Sequence, residues 1–533
     1  MSAISDDLAQ LVRRRFFLFL AMLPGGMLVI PLGFLVLKAG ALSTELLGHV
    51  GRTLLVESLI NTFLLLGGVL APCLAIGVGC AWLLARFSFP FSRFWRWALL
   101  LPLAMPAYVV SFVWISWMDY SGLVPSFLRD SWGMTTPALF SGFRSLGGLL
   151  VPLCLSFFPY IYLLVLEGFE SQSRAYSEVA SSLGLGRGAR LWKLQLPLLL
   201  PWLASGALLV GMETLADFGS VSVFNVQVFT TLVYRSWFAL QSIETASFFA
   251  IVHVLLVALF AFGLSRLRGR GRFSDSYAGR NSVPKKPLKT LAALSANLVL
   301  TFLWLISFAL PALQLMWWTS TDPSGLWDAR LVERILNSMW IALAVALIAL
   351  FLSAMMLLAK RFGRGRSLAA ARKISQLGYG IPGTVVAVAW MASLSFVLGS
   401  MQTSTWIALG ALIAGLSTRF MALALRPLES ASERISKSVE ESSLSSGVSA
   451  GRTLVRIHWP LLRNAFGVGF VFVFIDTLKE MPMTLLMRPY GWDTLAVRVH
   501  QYTSDGLWKE AAPASLVIVA ASVLPIFLMR RRL

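Results

Sequence analysis

The sequence predicts an all-α membrane protein with about twelve transmembrane helices arranged as two parallel six-span repeats. Three observations carry that expectation. Of the 533 residues, 57% are hydrophobic and 13% charged, far from the mix of a soluble domain. Apolar runs of about 20 residues recur along the chain, each long enough to cross a hydrocarbon core roughly 30 Å thick as a helix. Segments of the first half return in the second at fixed offsets, the signature of internal duplication.

In chain order, the expected spans of the first half are 16–37, 58–84, 98–117, 146–166, 198–220 and 246–264. Those of the second half are 291–317, 338–359, 377–398, 406–424, 464–483 and 512–529. The first run follows the basic flank Arg13 to Arg15. It is too long for a signal-peptide core and has no clear small-residue cleavage site, so it reads as a retained span.

The net charge of +20 does not point to nucleic acid, because the basic residues sit in short clusters between apolar runs. Those clusters are 13–15, 86–96, 174–193, 266–289, 360–373, 434–463 and 530–532. With both termini cytoplasmic and an even number of spans, every cluster falls on the cytoplasmic side, as the positive-inside rule requires. Cys73, Cys80 and Cys154 lie inside apolar segments without metal-site or redox spacing and read as small core residues; no metal ligand is firmly assigned.

The stretch "RLRGRGRFSDSYAGRNSVPKKPLKT" separates a first repeat, 1–265, from a second, 291–533. Rich in Gly, Ser and basic residues, 266–290 reads as a flexible cytoplasmic linker. "LVESLINTF" from Leu55 matches "LVERILNSM" from Leu331, and "PAYVVSFVW" from Pro106 matches "PGTVVAVAW" from Pro382, both 276 positions apart. "ETLAD" from Glu213 matches "DTLKE" from Asp476 at an offset of 263, which leaves 13 extra residues in an external loop of the first half. Because each half has an even number of spans, the copies enter the membrane alike, and a pseudo-two-fold axis along the membrane normal is expected.

Polar, basic segments interrupt the apolar pattern at 174–197 and 434–460. The first reads Glu178-x-Ala180-x3-Gly184-x9-Leu194-x-Leu196-Pro197; the second reads Glu441-x5-Gly447-x9-Ile457-x-Trp459-Pro460. A Glu among small residues suits a short helix that fits a groove on a partner. The Gly permits a positive-φ break, and the Pro is tolerated in the first turn of the next helix. This spacing resembles the E-A-A-x3-G-x9-I-x-L-P signature of permease subunits of ABC importers. Ser442 and Ser443 depart from it, standing where alanines are usual.

The resemblance implies a type I ABC importer permease fold. It also implies docking on an ABC ATPase, one copy for each segment, through Glu178, Ala180, Gly184, Pro197, Glu441, Gly447 and Pro460. The further partners it implies are a periplasmic substrate-binding protein and the lipid of a bacterial inner membrane, with no nucleic acid. The chain has no GxxxxGK[ST] phosphate loop. It is therefore expected not to be an enzyme and to hold no cofactor of its own, ATP and Mg being bound by the partner subunit.

Each span after a docking segment carries acids at i, i+4 spacing, hence on one face: Glu213 with Asp217, and Asp476 with Glu480. Carboxylates inside a membrane are costly and tend to mark a pathway, though capping a neighbouring helix or pairing with Lys479 also accounts for them. As path residues they suit a hard cation. "ETLADFGSVSVFNVQVFTTLVYRSWF" and "DTLKEMPMTLLMRPYGWDTLAVRVHQYTSDG" are similar to segments of the fused permeases of iron(III) ABC importers, which implies ferric ion as cargo and alternating access driven by the ATPase.

The alternatives are thiamine, a polyamine or another small solute, and, in a different class, an ion-coupled secondary transporter. His253 reads as a helix-packing residue, and His458 as a loop residue that is either solvated or in contact with the ATPase. Arg235 and Arg498, matched between repeats, read as groups of an outer gate, as contacts for the binding protein or as ion pairs that close the halves together, as does the pair Thr230 and Asp493.

Overall fold

A backbone inside lipid must satisfy its polar groups internally, and long apolar runs therefore become helices. The computed structural model describes residues 2–42, 48, 51–133, 142–172, 186, 196–267, 285–322, 329–362, 366–375, 378–399, 404–446, 448 and 450–529. The fold is all-α. In the first part of the chain the helices are α1 (Ser2–Ala39), α2 (Val56–Arg86), α3 (Ser92–Ala98), α4 (Ala107–Met118), α5 (Leu123–Trp132) and α6 (Leu146–Glu170). They continue with α7 (Leu196–Ala216), α8 (Gly219–Val223), α9 (Phe229–Phe238) and α10 (Ile243–Leu267).

After the linker come α11 (Thr290–Trp304), α12 (Leu310–Thr321), α13 (Ala329–Phe362), α14 (Arg366–Ser375), α15 (Gly383–Leu398) and α16 (Thr405–Glu433). The chain closes with α17 (Lys437–Ser445), α18 (Ala450–Thr453), α19 (Trp459–Lys479), α20 (Pro482–Met487), α21 (Leu495–Ser504) and α22 (Trp508–Met529). Among the described residues nine helices are long and apolar enough to cross a membrane, and up to eleven spans result if two bent pairs each count as one. The last expected span, 512–529, falls within α22.

The bent pairs replace what the sequence alone reads as continuous spans at 98–117 and 377–398. Ser92–Ala104 meets Ala107–Ser131 at 87°, and Ala369–Gly380 meets Gly383–Leu398 at 115°. The breaks fall at Pro106 and Pro382, which occupy the same repeat position. Each proline sits just before a helix with extended ψ, 140° and 141°. Proline has no N–H to continue the incoming helix and pushes the residue before it out of the α region, so a break at this point follows from the residue type.

The chain packs as two units, and each draws helices from both halves of the sequence. One comprises Met1–Leu42, Val233–Ile251 and Ala329–Arg498. Its centre is the trio α13, α16 and α19, with Gly469 of α19 lying so close to Ala424 that an added Cβ would meet its Cα at 3.1 Å. Along this trio lies α1. Its Leu20 and Ala21 are buried with Leu352, Met355, Met356 and Met421, and Gly25 admits the Ser375 hydroxyl of α14.

The other unit comprises Ser43–Leu232, Val252–Asp328 and Val499–Leu533. Its centre is the equivalent trio α2, α6 and α7, in which Gly77 and Gly206 both pack onto Ile161. Small residues let helix backbones approach closely, the main source of helix association in lipid. Helices α11 and α12 are pinned here by two indole hydrogen bonds: Trp95 Nε1 donates to Asn297 Oδ1 at 2.8 Å, and Trp117 Nε1 to Gln314 Oε1 at 2.9 Å. Packing thus crosses the linker-based division of the sequence, since each unit takes its opening helix from the opposite repeat.

Residues 285–287, at the end of the linker, are tied down. Phe87–Ser88 pairs in parallel with Lys286–Pro287, and Lys285 Nζ donates to the Leu84 carbonyl at 2.8 Å. Burial, and then the nearby Arg96 charge, hold the Lys285 pKa below the usual lysine value.

Candidate translocation and docking segments

The acidic helices end in the same way in both units. In α7 an apolar run brings Glu213 and Asp217 to the end of the span, and the short helix α8 follows; in α19 the run brings Asp476 and Glu480 to the same place before α20. Asp217 Oδ1 accepts from the backbone N–H of Ser220 (2.9 Å) and Val221 (3.2 Å), and Oδ2 accepts from the Ser220 hydroxyl (2.9 Å). Glu480 Oε1 accepts from Met483 N (2.9 Å), and Oε2 from Thr484 N (3.0 Å) and its hydroxyl (2.9 Å). The first N–H groups of a helix have no partner within it, and a carboxylate placed there satisfies them while matching the helix dipole. The second acid of each pair therefore holds a helix end.

The units differ in what else meets that acid. Glu480 Oε1 also takes a 3.1 Å ion pair from Arg419 Nη1 of α16, with the two side chains 2% and 11% exposed. Lys479 and Arg419 are the positive charges felt by Asp476. At the repeat position of Arg419 the first half has Ser156, and among the described residues Asp217 is held by backbone and hydroxyl donors alone. The backbone follows suit. A Cβ on Gly383 would lie 2.8 Å from Glu480 Oε1 and 3.1 Å from Arg419 Nη1, whereas its repeat partner is Ala107. The larger acid and its arginine need the glycine; the shorter acid and serine leave room for a methyl.

Polar struts that sequence reading missed fix the loop beyond each short helix. Asn61 Nδ2 donates to the Gln227 carbonyl at 3.0 Å, and Asn337 Nδ2 donates to the carbonyls of Gly491 (3.2 Å) and Asp493 (3.4 Å). The next residues repeat the theme: Thr62 Oγ1 accepts from Phe229 N at 3.4 Å, and Ser338 Oγ from Leu495 N at 2.8 Å. The signal was in view, since Asn61 and Asn337 coincide within the matched segments 276 apart. Arg419 was also findable, as a lone arginine in an apolar run.

Of the remaining candidates, Thr230 Oγ1 donates to the Asp217 carbonyl at 2.8 Å, and Asp493 Oδ1 accepts from Arg488 Nε at 2.5 Å. His253, 1% exposed, packs against the Phe229 ring with centroids 5.7 Å apart, as a helix-packing residue does. Arg235 lies in the last turn of α9, and Arg498 lies in α21. Among the described residues no three His, Cys, Asp or Glu side chains converge to hold a metal ion. Cys73, Cys80 and Cys154 are free and buried.

Of the docking segments, Glu178, Ala180, Gly184 and Gly447 lie outside the described residues. Pro197 is exposed in the first turn of α7, and Pro460 is exposed in the first turn of α19. Helix α17 carries Glu441 with its side chain exposed. Of the serines that depart from the usual alanines, Ser443 has local work: its hydroxyl and that of Thr453 bond at 2.9 Å, tying α17 to α18. A π-helical turn, Leu454–His458, leads into α19 and turns His458 inward to 4% exposure, so it is not a solvated loop residue.

Residues 74–271 match the family described as binding-protein-dependent transport system inner membrane component. An Fe(3+)-transport system permease protein of Haemophilus influenzae is 26% identical over 524 residues, 96% of this chain and 97% of that protein. A ferric transport system permease protein of Actinobacillus pleuropneumoniae is 23% identical over 501 residues, covering 90% of this chain and 71% of that protein. A molybdenum transport system permease protein of Escherichia coli is 28% identical over 210 residues, 39% of this chain and 89% of that protein.

Proposed function

We propose that the chain is an inner-membrane permease of a binding-protein-dependent ABC importer and that it carries ferric ion from a periplasmic binding protein into the cytoplasm. The observation that carries the cargo assignment is coverage. Similarity to the Fe(3+)-transport permease runs through 96% of the chain and 97% of that protein, both repeats included.

Energy comes from a separate ATPase subunit that binds ATP and Mg and engages 174–197 and 434–460. Support for that reading lies in α17, a short helix with Glu441 turned to solvent between two spans. The cargo path uses Glu213 and Asp217 in one unit and Asp476 and Glu480 in the other, hard oxygen donors one helical turn apart. Asp217 and Glu480 fix the end of the span, and Glu213 and Asp476 lie one turn earlier on the same face. Both termini face the cytoplasm.

The test is uptake of labelled ferric ion by iron-limited cells lacking the protein, complemented with wild type or with the double variant Glu213→Gln and Asp476→Gln. Wild type should restore uptake and the double variant should not, with molybdate in excess having no effect on either. Undiminished iron uptake without the protein, or competition by molybdate, would move the assignment to the anion. A tagged chain that supports uptake without retaining any ATPase would sink the importer mechanism itself.

A further inference from the structure

The helix that precedes each docking segment ends in a cationic grip. Helix α16 stops at Glu433, four residues before α17 begins. From the end of α13, Arg361 reaches across this turn: Nη1 donates to the Ser432 carbonyl (2.6 Å) and hydroxyl (2.9 Å), and Nη2 to the Ile435 carbonyl (2.8 Å). Its neighbour Lys360 pairs with Glu429 at 3.1 Å and Glu433 at 2.9 Å.

The first repeat also places cations at this joint in its own unit. Helix α6 stops at Glu170, just before the other docking segment, and Arg96 pairs with that carboxylate. Arg86, the last residue of α2, donates Nη2 to Gln172 Oε1, and its guanidinium lies 5.2 Å from the Phe169 ring centroid. Glu170 and Glu433 are 263 positions apart, the offset that relates the docking motifs themselves.

The last carbonyls of a helix lack partners within it, and cations are favoured there by the dipole. That alone accounts for a positive charge. It does not account for a fork that bonds carbonyls on both sides of the turn, Ser432 within the span and Ile435 beyond it. A planar guanidinium holds two acceptors in fixed geometry, which a lysine ammonium does not.

We infer that Arg361, and Arg86 in the other repeat, are positioning residues that stiffen the joint between membrane helix and docking segment, so that motion of the docking segment moves the spans instead of being absorbed by the turn. This rests on the docking reading of 174–197 and 434–460. The arginines belong to α2 and α13, so each docking segment is coupled to a second span besides the one it continues.

The experiment compares wild type, Arg361→Lys, Arg361→Gln and Arg86→Lys, purified with the ATPase subunit and reconstituted in liposomes. Retained ATPase, basal hydrolysis, hydrolysis stimulated by loaded binding protein, and thermal stability are all measured. For Arg361→Lys the complex should stay assembled with basal hydrolysis unchanged, while stimulated hydrolysis falls roughly tenfold, the scale of one charged hydrogen bond lost. Arg86→Lys should move the same way. Arg361→Lys keeps charge and stem, so the comparison stands even where Arg361→Gln fails to fold. Stimulation equal to wild type, or loss only in proportion to lost assembly, overturns the inference. Wild-type chain that retains no ATPase overturns the docking reading along with it.

Discussion

At the residue scale the acid-bearing ends of the two spans show how one duplicated position accommodates two chemistries. Removing one member of a buried ion pair strands the other charge, whereas removing a cap held by backbone and hydroxyl donors costs a few hydrogen bonds. Glu480→Ala should therefore lower stability by roughly 3 kcal/mol, since it leaves Arg419 unpaired. Asp217→Ala should cost about 1 kcal/mol, the usual loss of a helix cap. Thermal unfolding of the detergent-purified chain reads the difference, and equal losses would count against the ion pair as the distinguishing feature. Gly383→Ala should destabilise alone by about 1 to 3 kcal/mol, because its methyl would lie 2.8 Å from Glu480 Oε1. Combined with Arg419→Ser and Glu480→Asp, which recreate the Ala107, Ser156 and Asp217 set of the other repeat, it should be tolerated. A triple variant no more stable than Gly383→Ala would show that the methyl clashes with something else.

At the element scale, short helices and joints set the geometry around the spans. Asn337→Ala removes the donor to Gly491 and Asp493 and should cost about 1 kcal/mol. Faster amide exchange confined to 488–494 would be its signature, and uniform exchange across α20 and α21 would contradict a local strut. On the docking side, Glu441 is exposed, so Glu441→Lys should leave folding intact while reducing copurified ATPase roughly tenfold through a reversed interfacial charge. Glu178→Lys made separately compares the segments: equal losses mean that the serines of the second copy do not weaken its grip. The glycine, proline and acid spacing of these segments was legible in the sequence, because it is a local property of the chain. The Ser443 to Thr453 bond was not, because it joins two helices whose relative placement no spacing rule specifies. The breaks at Pro106 and Pro382 were present as letters, but a run of hydropathy reads across a proline without registering the bend.

At the scale of the whole molecule, each packing unit needs helices from both halves of the sequence. Residues 1–267 and 285–533 expressed together as separate chains should therefore copurify, whereas either alone should be degraded or aggregate. Stable, monodisperse halves would contradict the exchanged packing. Deleting α1 should destabilise the unit built on α13, α16 and α19, since Leu20 and Ala21 fill its core; unchanged unfolding would remove that helix from the core.

What the sequence determined by itself follows from short-range physics. Apolar length dictates which segments are long enough to cross a membrane, and offsets of 276 and 263 reveal the duplication. Those properties are counted along the chain and need no knowledge of neighbours. The tertiary structure alone decided the exchange of first helices, the partner of Glu480 on a helix 61 residues away, and the Arg361 fork at the end of α16. Helix faces in lipid are nearly all apolar, so hydrophobicity does not say which face meets which. That choice rests on glycines and single polar contacts whose partners lie far along the chain, and such pairings leave no periodic trace.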